Sequence, residues 1–558
     1  MKLLNKLFIG AAVVATAATM SSCTGDLDLI SDDPNSTTSG TFPQDPEKYL
    51  DLVFADIFFN FQSYGPGGDA IIHSFDGGMS TFQRAIFNME EVPSDEANWI
   101  AEKDTNFGRM TYGIVDATNT GATAGYARLM TNVALCVQFL QTVNNGDFAL
   151  DTPELQAKAA DYCLQARALR NICYFYLLSC YGNVPYADET TAIGSTPAQL
   201  DRAEVYRRTV ADLEDVVAQM KAANRPVAYG YLGVDAAEAY LVKLYLNAGV
   251  FCGQPDWANA CTHAKNIIDR HAGNGFQNSG LCMNYSQIFG QGNQKFTPGG
   301  DSPVQEILWA IPSCTDKTYS WGNSTLMIDA FLGENDDCQV KLADYNVSDG
   351  WKCATAREQF VRKFDWDDAE CSTSADQRVR FWGTSAHGFK IGNATFIQAN
   401  WGKNGYLPVK FTNWVIDDFG NIDAEASGNA IPDQFKVDYP MVRLAEIYRS
   451  YAEAALQGGG DRALALKYVN YIRERAGIEP WSAADLTLET LQDERCRELY
   501  TECNRRTDLI RYGKWISGYT WNWKGGVPNG TDFPANFNLY PLPSAVVTQA
   551  GYKQNPGY

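Results

Sequence analysis

Tryptophans in polar company are the residues of this chain whose surroundings point to chemistry. Trp99 ends the run Ser94-Asp95-Glu96-Ala97-Asn98-Trp99, Trp321 sits in Tyr319-Ser320-Trp321-Gly322-Asn323-Ser324-Thr325, and Trp351 closes Asp349-Gly350-Trp351. A flat ring can cover the C–H face of a sugar by dispersion and through its quadrupole. Forked or paired polar side chains beside it then meet the hydroxyls at the rim. Against each ring taken alone stands the ordinary fate of tryptophan, a core position. The polar, glycine- or aspartate-rich settings of all three favour the sugar-facing role.

Catalysis finds no comparable support. The four histidines (His73, His263, His271, His387) are scattered, with neither an HExxH pair nor a nucleophile elbow. Gly290-Gln291-Gly292 lacks the third glycine and the strand-to-helix setting of a nucleotide loop. The pairs Asp336-Asp337, Asp367-Asp368 and Asp417-Asp418 are adjacent in sequence, which does not show two carboxyls facing across a glycosidic bond. They read as solvated loop charges or weak calcium ligands. No enzyme, no cofactor and no metal is expected. The net charge of −21 repels phosphate backbones and excludes nucleic acid as a partner. Neutral ligands remain open, and sugars are the largest such class with a taste for aromatic surfaces.

The elements that must position these rings fall into two helical regions with a loop-rich one between. Tyr162, Ala166, Leu169, Cys173, Tyr176 and Cys180 step by fours and threes, which keeps one stripe on one helix face until Gly182, Asn183 and Pro185 end it. The stepping recurs at Tyr206 to Met220, at Ala237 to Phe251 and at Trp257 to Ile268. It returns at Leu444 to Ala455 and, after Gly458-Gly459-Gly460, at Ala465 to Ala476. Helix pairs on short glycine-containing turns are the unit of tetratricopeptide-like scaffolds, although that repeat's consensus is absent. The middle, about 273–438, is rich in Gly, Asn, Asp and Trp with short apolar runs such as Glu306 to Ile311, and predicts loops and short strands. The expected class is mainly α: a helical-hairpin scaffold over about 42–272 and 439–558, bearing a loop-rich working surface in one domain.

The N-terminus reads as a leader. Lys2 and Lys6 precede the apolar stretch Leu7 to Thr19, too short to span a bilayer stably, and Met20-Ser21-Ser22-Cys23 follows. Small residues before a cysteine resemble a lipobox, making residues 1–22 a signal peptide, Cys23 the lipidated N-terminus and 23–41 a tether; ordinary secretion with cleavage elsewhere is the alternative. Thirteen further cysteines, with no paired CxxC sets and several on helix faces, favour buried thiols over a disulfide framework. A single bridge such as Cys252 to Cys261 stays open.

Five segments, in order, resemble the SusD/RagB family of outer-membrane glycan-binding lipoproteins. They are the lipoprotein start; Gln165-Ala166-Arg167-Ala168-Leu169-Arg170 running to Tyr181-Gly182-Asn183-Val184-Pro185-Tyr186; and Ala236-Ala237 through Leu244-Tyr245-Leu246-Asn247-Ala248-Gly249. Then come Tyr439-Pro440-Met441-Val442-Arg443-Leu444-Ala445-Glu446 with Ile472-Arg473-Glu474-Arg475-Ala476, and Asp493-Glu494-Arg495 to Gly513 closed by Tyr540-Pro541-Leu542-Pro543 and Gln554-Asn555-Pro556-Gly557-Tyr558. Most of these residues read as structural: Arg443, Arg473, Arg495 and Arg505 are expected to pair with Glu446, Glu453, Glu498 and Asp508.

The match is closest to the family's starch-binding founder, where an arc of aromatic rings cradles the curved face of an α-1,4-glucan. The resemblance places Trp99, Trp321 and Trp351 on that arc, Arg84 as a ligand to sugar hydroxyls, and Asp104 where the pattern has asparagine. From the residues alone, Arg84 could equally pair with Glu90 or Asp95, and Asp104 could cap a helix starting near Thr105. Ala101 stands where the arc has a second tryptophan, which implies a smaller arc. The resemblance further implies an outer-membrane position facing the cell exterior, a partner TonB-dependent transporter of the SusC kind, and capture of maltooligosaccharides for import. The same lid role for another glycan, a surface glycoside hydrolase, and a pure scaffold for the porin are the competing readings. Turnover of maltoheptaose would mark the hydrolase.

Overall fold

The computed structural model describes residues 45–62, 72, 75, 78–101, 104–295, 303–313, 320–334, 340–364, 374–383 and 405–558. The leader, Cys23 and the tether lie outside them, as do Tyr319, His73, His387, Asp336-Asp337 and Asp367-Asp368.

Helices dominate: α1 (Pro46–Gln62), α2 (Phe82–Glu90), α3 (Thr105–Thr111), α4 (Thr120–Asn144), α5 (Pro153–Cys180), α6 (Arg202–Ala223), α7 (Val234–Leu246), α8 (Ala248–Cys252) and α9 (Trp257–His271) make the first helical region. Their caps follow the sequence: Asn119, Thr152, Asp201 and Asp256 each accept a first-turn N–H, at Ala122, Leu155, Glu204 and Asn259. The stripe predicted on α5 is buried from Ala166 onward, and the helix stops at Cys180. One expectation changes in detail. The stripe Ala237 to Phe251 is split at Asn247, whose side chain donates to the Lys243 carbonyl and interrupts the ladder between α7 and α8.

Helix packs on helix in succession, α4 on α5, α5 on α6, α6 on α7 and α7 on α9. The stack continues through α9 onto the C-terminal α11 (Leu444–Leu456), which packs on α12 (Arg462–Arg475) and α13 (Leu488–Leu499). One continuous apolar core runs through it, from Leu50 to Leu542.

The middle region supplies short strands and α10 (Asn323–Asp329). Strand β2 (Ile307–Ile311) pairs antiparallel with β8 (Tyr439–Arg443), tying the middle to the C-terminal helices. The pair that matters for the rings is β1 (Asn98–Trp99) with β3 (Ala354–Thr355), in register Trp99 to Ala354. Strand β4 (Phe381–Trp382) pairs antiparallel with β5 (Leu407–Pro408), and β6 (Val415–Ile416) with β7 (Ile422–Asp423).

The charge-dense C-terminal stretch forms a buried ion network, with partners that differ in part from those expected. Arg443 pairs with Glu306 (2.6 Å), Glu498 (2.8 Å) and Glu502 (2.7 Å), Arg473 with Glu494, and Arg505 with Asp95, while Glu453 holds Arg511. Arg495 bridges Glu446 and Asp508 as expected. Sequence spacing cannot report Glu306 or Asp95 as partners, because both arrive from elements far along the chain. All ten cysteines among the described residues are free thiols, Cys252 and Cys261 included, so that open bridge is not formed.

Candidate glycan-binding site

Arg84 is the hub. It lies on α2, whose N-cap Thr81 accepts the Arg84 N–H. The Arg84 guanidinium stands 5.8 Å from the Trp99 ring centroid and 5.6 Å from that of Trp351, and Nη1 donates to the Trp321 carbonyl at 2.9 Å. Four of the five residues singled out from the sequence therefore meet at one side chain. The fifth, Asp104, accepts from Trp99 Nε1 at 3.1 Å. It occupies the N-cap position of α3 but makes no capping bond, so its carboxylate serves the indole instead. The two carboxylates weighed as partners for Arg84 are engaged elsewhere: Asp95 is held by Arg505 at 2.8 Å, and Glu90 accepts from Thr507.

Two glycines explain how the middle region delivers its rings. A Cβ on Gly322 would collide with Thr81 Oγ1, so only glycine lets the Trp321 segment dock on the cap of α2. Asn323 N–H then donates to Gln83 Oε1 at 2.8 Å. At Gly350 a Cβ would meet the Leu332 carbonyl at 2.5 Å. That close approach lets Trp351 N–H donate to the Asp329 carbonyl at 2.7 Å, on the last residue of α10. Both rings thus hang from backbone contacts on rigid helix ends.

The three rings differ in what they offer. Trp321 and Trp351 are half-buried, each with surface left to meet a ligand. Trp99 is 2% exposed, packed on Phe107 at 5.4 Å, and offers almost no face in this structure. Its place is the wall behind Arg84. Ala101 is buried as well and presents no ring there.

Two carboxyls missed in the sequence reading brace Trp351. Asp433, in the left-handed region at φ +53°, accepts from Trp351 Nε1 at 3.2 Å. Beside it, Asp329 is fully buried, and neither of its carboxylate oxygens has a hydrogen-bond donor. Burial, reinforced by the neighbouring Asp433 charge, pushes the Asp329 carboxyl up to about 9. Protonated at neutral pH, it can donate to Asp433 and keep that acceptor aimed at the indole. An acid inside the apolar run Leu326-Met327-Ile328-Asp329-Ala330-Phe331-Leu332 was the available signal; Asp433 left none. Among the described residues no cluster of His, Cys, Asp or Glu is arranged to hold a metal ion, and no helix is long and apolar enough to cross a membrane.

The aromatic and guanidinium site on a helical frame can be set beside the proteins this chain resembles. Residues 305–558 match the model of the SusD family. The starch-binding protein SusD of Bacteroides thetaiotaomicron is 28% identical over 100% of this chain and 99% of its own length. A SusD-like protein of Bacteroides ovatus is 23% identical over 72% of this chain and 67% of its own. Among solved structures, surface glycan-binding protein A from Bacteroides thetaiotaomicron superposes with a TM-score of 0.65 at 17% identity, covering 91% of this chain and 99% of that one. The same protein in complex with laminarihexaose gives 0.64. The chain is thus similar to the SusD family over residues 305–558 and shares the helical fold of these solved glycan-binding proteins.

Proposed function

We propose that this protein captures α-1,4-glucan oligosaccharides at the Arg84 site and passes them to a SusC-like TonB-dependent transporter. The observation that carries the reading is the convergence of the Trp99 ring, the Trp351 ring and the Trp321 carbonyl on one guanidinium, the last two from a region more than two hundred residues beyond Trp99. Trp321 and Trp351 form the stacking surface, Arg84 and Asp104 meet hydroxyls at its edge, and Trp99 backs Arg84. Full-length similarity to a starch-binding protein supports the α-glucan. Cys23, with the leader before it, would anchor the chain in the outer membrane facing the exterior. Residues 42–558 would act as one glycan-binding domain, with 273–438 bearing the ligand surface and no cofactor required.

Affinity in the micromolar to millimolar range, roughly −8 to −4 kcal/mol, suits capture followed by release. Native electrophoresis through gels containing amylopectin, laminarin or no polysaccharide tests the ligand class. Retardation by amylopectin is expected; retardation by laminarin alone would move the assignment to a β-1,3-glucan.

A further inference from the structure

The middle region holds a second concavity of about 590 Å³, and no residue of the Arg84 site lines it. Its aromatic lining comes from Trp382 on β4, Trp414 just before β6 and Tyr345, all half-buried, and from the buried Phe381. Arg380, Gln377 and Thr412 supply the polar lining. The volume falls within the roughly 300–1,000 Å³ of small-molecule sites.

The groups are held in place rather than loosely gathered. Trp414 Nε1 donates to the Asp344 carbonyl at 2.9 Å, which fixes the plane of the ring. Thr412 N–H donates to the Phe289 carbonyl, and Trp414 N–H to Thr412 Oγ1 at 3.3 Å. The Arg380 backbone accepts from Val409 N–H across the β4–β5 pair, and its guanidinium donates to Ser286 Oγ. Asp376, also at the lining, is neutralised by Arg378 at 2.8 Å. Arg380 and Asp344 are left as one charge of each sign. Such a site discriminates against ions, and the net charge of −21 disfavours anions further.

At the edge, the turn between β6 and β7 carries Phe419, 86% exposed, next to the lining residue Gly420; Ile422, 55% exposed, lines the concavity itself. Rings, amide, hydroxyl and guanidinium groups in charge balance are the chemistry that recognises a neutral saccharide.

We infer that the concavity at Trp414 and Arg380 is a second saccharide-binding site, separate from the Arg84 site and sized for a short neutral oligosaccharide segment. Two sites on one chain would let a single polymer engage the surface twice and raise its effective concentration there.

Calorimetry of the full protein with maltotriose, cellotriose and laminaritriose tests this, using a Trp321→Ala/Trp351→Ala background to silence the Arg84 site. That background is expected to keep binding for at least one trisaccharide. Adding Trp414→Ala or, separately, Arg380→Ala should weaken it at least tenfold. Arg380→Ala leaves the Trp414 anchor intact and so guards against a packing defect. No binding of any trisaccharide by the background variant, or binding changed less than twofold by both further substitutions, would overturn the inference.

Discussion

Asp433 Oδ1 takes the indole N–H of Trp351 at 3.2 Å, on a ring whose centroid also lies 5.6 Å from the Arg84 guanidinium. The ring is therefore fixed by an acceptor at its edge and a cation near its face, and both must persist for its sugar-facing surface to be preorganised. Asp433→Gly, which suits the left-handed backbone there and removes the acceptor, is expected to weaken α-glucan binding about three- to tenfold, with melting temperature little changed. Titration calorimetry of that variant checks it; unchanged affinity would show that Asp433 does not position the ring.

Arg84→Lys separates charge from shape. A lysine keeps the charge but not the planar fork that reaches the Trp321 carbonyl between two indoles. Loss of the fork's hydrogen bonds to sugar hydroxyls, worth about 0.5–1.5 kcal/mol, predicts glucan binding weakened by about two- to twelvefold. Binding at wild-type strength would contradict the hub role.

Asp329 makes a prediction with a definite sign. Its folded pKa of about 9 lies above the usual 3.8, so its contribution is most favourable below pH 3.8 and is lost as pH rises toward 9. Asn mimics the neutral acid without that loss. Asp329→Asn should raise the melting temperature at pH 8 and leave glucan binding near wild type. A lower melting temperature at pH 8 would mean that the carboxyl is needed in its charged form.

Much of this arrangement was legible in the sequence, and the gaps have physical causes. The stripes on α5, α6 and α9 could be read because helix burial has a 3.6-residue period. Trp321 and Trp351 stood out because each adjoins a glycine, and both glycines prove to be sites of close backbone approach. The 2% exposure of Trp99 was not legible, since Asp95-Glu96 and Asn98 look like solvent company. Those residues are themselves buried, with Asp95 on Arg505 and Glu96 accepting from Thr501 N–H. Polarity in sequence marks the surface only when the partners are not supplied from four hundred residues away.

The ion network of α11, α12 and α13 predicts acid sensitivity. Despite the opposing effect of burial, Arg475, Arg443 and Arg378 hold the Glu498 carboxyl well below its usual range. A depressed carboxylate contributes fully above its unfolded pKa of 4.5 and loses that contribution as pH falls below it. Glu498→Gln leaves buried arginines short of charge and should cost about 3–5 kcal/mol at pH 7, read by denaturant unfolding. A cost under about 1 kcal/mol would contradict the network's role.

At the opposite end of the pH scale, His263 lies between Glu214 and Glu238, each 2.9 Å away. Burial disfavours its charge, but hydrogen bonds to the two glutamates win and raise it to about 9. Its contribution is complete below pH 6.5 and lost as pH rises through 9. Thermal unfolding from pH 7 to 10 should show a destabilising limb that His263→Gln lacks. A limb of equal size in both proteins would assign it elsewhere.

The central claim is that Trp321 and Trp351 form a sugar platform organised by Arg84, and one titration bears on it most directly. Maltoheptaose is titrated into the protein and into its Trp321→Ala/Trp351→Ala variant. The account predicts micromolar to millimolar binding by the wild type, weakened at least tenfold in the variant while the unfolding midpoint stays within a few degrees. Equal affinity in the two proteins, or no binding of maltoheptaose by the wild type, would contradict it.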